Sequence, residues 1–156
     1  MPTRSDRLAQ RLALAVPALL LGGAYLGEYG FGLYPCEMCW WQRYPHFAAV
    51  GLALLSTVAA PKRMWIALAG FAILVSGGIG AFHAGVEYGW WEGLTACSSL
   101  SSGGGDPLEA IMNAPLVRCD EVQWSFFGIS LAGWNALIST ATALAILRLL
   151  GLRSET

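Results

Sequence analysis

A chain of 156 residues in which 56% of the side chains are hydrophobic and 12% are charged, with a mean hydropathy of +0.54, reads as an integral membrane protein, since a soluble domain carries about 25% charged residues. Its nine basic and ten acidic side chains leave a formal net charge of -1. No basic run is present that would neutralise a phosphate backbone, so nucleic-acid binding has no electrostatic footing.

The chain opens with a polar stretch carrying Arg4, Arg7 and Arg11 against Asp6, and turns apolar at Leu12. A basic start before an apolar run also describes a secretory signal. Here the run continues through Gly27 and Gly30 toward Leu33, long enough to span a bilayer, and a first membrane helix is expected over 12–31. Pro17 within it is tolerable where neighbouring helices satisfy the freed carbonyl. Next comes Pro35-Cys36-Glu37-Met38-Cys39-Trp40-Trp41-Gln42-Arg43, a Cys-x-x-Cys between two apolar runs. A second span is expected over 44–60, with Pro45 suited to a first helical turn. It stops at Pro61-Lys62-Arg63. The third, over 64–83, ends at His83 and must form an antiparallel hairpin with the second, because the link is so short. A longer segment follows from Ala84 to Gln123. It holds Trp90-Trp91, Cys97, a Ser/Gly run from Ser98 to Gly105, a capped helical stretch from Asp106 to Met112, and Cys119. The fourth span is expected over 126–148. The expected fold is an all-α membrane protein, a single four-helix transmembrane bundle over 1–156 with two outer loops carrying the cysteines.

Flanking charge orients the bundle. Arg4, Arg7, Arg11, Lys62, Arg63, Arg148 and Arg153 fall on one side and only Arg43 and Arg118 on the other, which predicts cytoplasmic termini and both cysteine pairs outside. Outside is where disulfides persist.

A Cys-x-x-Cys serves as a redox dithiol, half of a zinc site, or a staple. Zinc needs two further ligands, usually as a second close pair, and Cys97 and Cys119 are far apart in sequence while His46 lies inside a span. A staple closing so short a loop constrains little chain entropy. The redox reading takes most of the weight beside these two, and Arg43, four residues after Cys39, is placed to favour a thiolate there. Cys97 and Cys119 suit either a loop-tying disulfide or a second reactive pair able to exchange with the first. Arg118 beside Cys119 either aids a thiolate or is solvated. Arg43 is a headgroup anchor or part of the site, His83 an interfacial cap or part of the site, and Glu28 a boundary residue. Arg43, His83 and the dithiol share one expected depth, where a lipid-soluble electron acceptor would meet them. The spans hold no ionisable group near the midplane, which disfavours an ion-coupled transporter.

Taken together, four spans, a Cys-x-x-Cys in the first outer loop, the arginine after it, a histidine closing the third span, a separated cysteine pair in the second outer loop, and Cys119-Asp120-Glu121-Val122-Gln123-Trp124-Ser125-Phe126-Phe127-Gly128 resemble the bacterial disulfide bond formation protein B family over essentially the whole chain. The resemblance implies a quinone-dependent oxidase of the bacterial inner membrane. Its implied partner is a periplasmic thioredoxin-fold oxidase of the DsbA type, and its implied cofactor ubiquinone or another membrane quinone. By position, Cys97 is the sulfur attacked by the partner, and Cys119 passes reduction to the Cys36/Cys39 pair. Cys39 faces the quinone, with Arg43 and His83 polarising its oxygens; no metal is implied. Glu37 within the motif should raise nearby thiol pKa values. A relative dedicated to one partner, or a scaffold with purely structural disulfides, is the competing expectation.

Overall fold

The computed structural model describes residues 3–94 and 117–151. Cys97, the Ser98 to Gly105 run and the helix expected over 106–112 lie outside them. Four long helices, α1 (Arg4–Phe31), α2 (Glu37–Val58), α3 (Lys62–Glu87) and α4 (Leu131–Gly151), run up and down, with two-residue strands β1 (Ser125–Phe126) and β2 (Ile129–Ser130) just before α4.

Helix boundaries differ from expectation where capping overrides hydropathy. α1 begins well before Leu12 because Thr3 and Asp6 form a reciprocal capping box, each accepting the other's backbone N–H. It ends at Gly32, left-handed with φ 70°. α2 starts at Glu37 because Cys36 is its N-cap, so Pro45 sits in the interior of the helix and not in its first turn. There it removes a backbone donor, leaving the Trp41 carbonyl without its helical N–H partner. α4 starts at Leu131, later than the expected 126, because 125–130 form an antiparallel hairpin pairing Ser125 with Ser130 and Phe126 with Ile129. Phe127 and Gly128 at its tip both have positive φ, as a two-residue primed turn requires.

α3 is the centre of the packing, against α2 on one side and α4 on the other, while α1 covers the remaining seam between α2 and α4. The core is built from small side chains, Ala9, Ala13, Ala49, Ala53, Ala69 and Ala143, with Ile66, Ile73 and Ile146 filling between them. Small residues let helix backbones approach closely, which drives association where lipid offers no hydrophobic gain. Gly80 marks one such close approach to α4: a Cβ there would lie 2.9 Å from the Ala132 carbonyl and 3.0 Å from the Asn135 amide. At the end holding the N-terminus of α1, Arg63 reaches the Leu150 carbonyl and, at 3.7 Å, Asp6.

Three helices, α1, α3 and α4, are long and apolar enough to cross a membrane. α2 falls short of that hydropathy because Glu37, Gln42, Arg43 and His46 occupy its opening turns. Large apolar side chains face outward on all four helices, among them Leu19, Val58, Phe71 and Leu144, a surface suited to lipid and not to water.

Candidate active site

The dithiol forms where the short link 32–36 enters α2. Cys36, as N-cap, accepts the Cys39 backbone N–H on its sulfur at 3.2 Å, and the two sulfurs lie 2.8 Å apart, Cys36 donating. This arrangement holds the Cys39 thiol below the ordinary range, chiefly through the hydrogen bond from Cys36, with burial and Glu87 opposing and Arg43 assisting. The same hydrogen bond and burial push the Cys36 thiol up. The pair thus gives up its first proton readily and its second with difficulty.

Arg43 is buried within the bundle. Its guanidinium bonds Glu28 of α1 at 2.6 Å and the Ala24 carbonyl at 3.4 Å. It also lies 4.8 Å from the ring centroids of both Tyr25 and Trp40, so cation–π contact adds to the ion pair. Glu28, expected at a boundary, lies in the last turn of α1 and is the partner of Arg43, 12% exposed.

His83 is 2% exposed. Its Nε2 lies 3.6 Å from the Cys36 sulfur and 3.8 Å from the Glu87 carboxylate, and its ring also hydrogen-bonds the backbone of Cys119. Its Nδ1 meets the Gln42 amide nitrogen at 2.8 Å. Behind it a polar network enters the bundle: Asn135 donates to Gln42 Oε1 at 2.8 Å, His46 Nε2 meets Asn135 Oδ1 at 2.9 Å, and Ser76 donates to the Gln42 carbonyl at 2.8 Å. Glu87 accepts from the Ser130 hydroxyl. The ligand atoms of Cys36, Cys39 and His83 lie within 4.8 Å of one another, close enough to hold a metal. The hydrogen bonding runs against that use, since a metal on Nε2 requires Nδ1–H donating to an acceptor, and Gln42 presents a donor there.

Cys119 is fully buried and packs in one cluster with Cys36, Met38 and Val86, with Cys39, Phe82 and Val117 around it. Arg118 and Asp120, on either side of it, pair at 2.6 and 2.9 Å. Arg118 is therefore engaged and not merely solvated, and it holds the Asp120 carboxyl below its usual range. Cys97 lies outside the described residues.

A cavity of about 300 Å³ opens beside these groups, and Leu19, Leu20 and Leu33 line it together with Cys39, Arg43 and His83. His46 also lines it, and its buried Nδ1 has no hydrogen-bond partner among the described residues.

A family model described as disulfide bond formation protein DsbB matches residues 6–149. The chain belongs to the DsbB family. Proteins named disulfide bond formation protein B include one from Verminephrobacter eiseniae that is 35% identical over 92% of this chain and 85% of its own length. Others, from Azoarcus sp. (strain BH72) and Polaromonas sp. (strain JS666 / ATCC BAA-500), are 34% and 32% identical, over 85% and 88% of this chain and 84% and 86% of their own. No solved structure matches the chain. As a DsbB-family protein it is a multi-pass membrane protein of disulfide bond formation. Sequence reasoning singled out neither Gln42 and Asn135 nor Glu87 as part of the site. The i,i+4 spacing of Glu87 from His83 was the one available signal.

Proposed function

We propose that this DsbB-family chain is a four-span inner-membrane oxidase that draws electrons from a periplasmic DsbA-type dithiol and delivers them to a membrane quinone. In this arrangement α2 is the fourth span, its polar opening turns satisfied within the bundle, and the termini are cytoplasmic. The observation that carries the reading is the burial of Cys119 against Cys36, at the edge of a cavity that also holds Cys39 and Arg43.

The partner's thiolate attacks Cys97 of a Cys97–Cys119 disulfide, and Cys119 leaves as thiolate. Cys119 then attacks Cys36: the Cys36–Cys119 bond forms, the Cys36–Cys39 bond breaks, and Cys39 leaves as thiolate. Cys39 leaves on the side of Arg43, whose positive charge favours a thiolate there. The partner's second thiol displaces Cys97, which attacks Cys119 and releases Cys36. The partner is thereby oxidised, and the Cys36/Cys39 pair holds the two electrons.

The cavity suits a quinone ring, because its lining combines leucines with the Arg43 and His83 side chains and the Cys39 sulfur. A bound quinone supplies the oxidising power, accepting two electrons and two protons. Arg43 would hydrogen-bond a ring oxygen while Glu28 keeps the guanidinium in place.

Cys119→Ala with Cys97 retained should trap a mixed disulfide with a reduced thioredoxin-fold partner, visible as a shifted band on non-reducing gels and absent in Cys97→Ala. Wild-type protein should couple oxidation of that partner to loss of ubiquinone absorbance. A chain with purely structural disulfides gives neither, and a band that survives Cys97→Ala reverses the order of attack.

A further inference from the structure

The network behind His83 has a defined donor–acceptor sense, fixed at two backbone anchors. The Gln42 amide nitrogen donates to the Met38 carbonyl at 3.2 Å, and the Asn135 amide nitrogen donates to the Ser76 carbonyl at 3.2 Å. Rotating either amide would set its oxygen against a carbonyl oxygen, and rotating Gln42 alone would also oppose two N–H groups across the 2.8 Å contact with Asn135. Asn135 Oδ1 is held in turn by His46 and by the Ser139 hydroxyl at 3.0 Å. With both amides so oriented, Gln42 presents an N–H to His83 Nδ1 at 2.8 Å. Nδ1 must then be the acceptor, and the ring proton resides on Nε2.

We propose that Gln42 and Asn135 are positioning residues that lock His83 in the Nε2–H tautomer, so that the ring presents an N–H and not a lone pair to the Cys36 sulfur of the exchanging pair. Nε2 is the nitrogen 3.6 Å from Cys36, and as an N–H donor it favours negative charge on Cys36 when that sulfur leaves Cys119. Glu87, 3.8 Å away and occupied by Ser130, faces the same nitrogen and favours the same tautomer. In the opposite tautomer a lone pair would face both the sulfur and the carboxylate. The proposal rests on the exchange of Cys119 with Cys36 put forward above; the tautomer itself is measurable without it.

The chain has two histidines, so histidine-selective ¹⁵N NMR of the full-length protein in detergent shows two imidazoles, assigned with His83→Gln. Wild type should show His83 protonated on Nε2. Gln42→Glu replaces the donor at Nδ1 by a carboxylate and should move the proton to Nδ1. Asn135→Asp, which touches neither His83 nor a thiol, should do the same by turning the Gln42 amide. In rapid-quench exchange between the two cysteine pairs, both variants should slow release of Cys36 from the Cys36–Cys119 bond about tenfold, the effect of losing one hydrogen bond. Nδ1 protonation in the wild type, or an unchanged His83 spectrum in both variants, overturns the proposal. So does a switched tautomer with wild-type exchange rates. Wild-type protein with the Nε2–H signature but no exchange at all would instead refute the thiol-exchange reading.

Discussion

Arg43 illustrates how much of a side chain's role depends on a partner that spacing does not reveal. The Cys-x-x-Cys and the arginine one turn beyond it are readable from the sequence because both lie on one helix. Glu28 is not, since it reaches Arg43 from α1 across the link 32–36. The pairing changes what Arg43→Ala should do. Removing one member of a buried ion pair costs about 3–5 kcal/mol, because the other charge is left uncompensated. That substitution alone would therefore confuse stability with chemistry. Arg43→Ala combined with Glu28→Gln should recover most of the stability in detergent unfolding, yet still lower quinone-dependent turnover about ten- to a hundredfold, the worth of one charge-assisted hydrogen bond. Arg43→Lys should keep part of the activity, retaining charge without the planar fork. Normal turnover in the double variant would remove Arg43 from the quinone step.

Helix count and order follow from hydropathy and charge, whereas the faces that meet follow from helix phase and close approach. Gln42, Ser76 and Asn135 lie on three helices and are unremarkable in sequence; they meet because α3 and α4 touch at Gly80. The hairpin at 125–130 was missed for a local reason: Phe127 at positive φ is an uncommon choice, and aromatic residues before an apolar run mimic a helix start. Gly80→Ala should force the helices apart, since the new Cβ meets a backbone carbonyl; overpacking of this kind costs about 1–3 kcal/mol, against about 1 kcal/mol gained in helix propensity. Gly78, where an added Cβ would meet nothing within 4 Å, is the control, and Gly78→Ala should be neutral or stabilising. The comparison is made by thermal unfolding in detergent micelles. Equal stability of the two variants would show that the α3–α4 approach is not limiting.

For the molecule as a whole, the described ends of α1 and α4 share the end of the bundle that holds Arg63, and Cys36, Cys39, His83 and Cys119 share the other. That the two termini share one end was readable from the even number of expected spans. The assembly of the site was not, because the loop carrying Cys119 enters it from far along the chain. In the proposed orientation, reporter fusions after Gly105 and at the C-terminus should report opposite sides of the membrane. Signals from the same side would remove one span, and α2, the most polar of the four helices, would be the first to reconsider.

The ion pair across the link 32–36 also bears on how the chain is made. As α1 emerges during biosynthesis it carries Glu28 near its trailing end, and α2 follows with Arg43 near its leading end. Either charge entering the hydrocarbon alone is penalised, by about 2.5–3.5 kcal/mol at mid-bilayer for such groups and less near the boundary. Neutralised by each other, the two enter together. In the proposed orientation the α1–α2 hairpin, and not either helix singly, would be the unit that partitions from the translocation channel into lipid, and the cysteines at its apex would reach the outer face with Arg43 already placed beside Cys39.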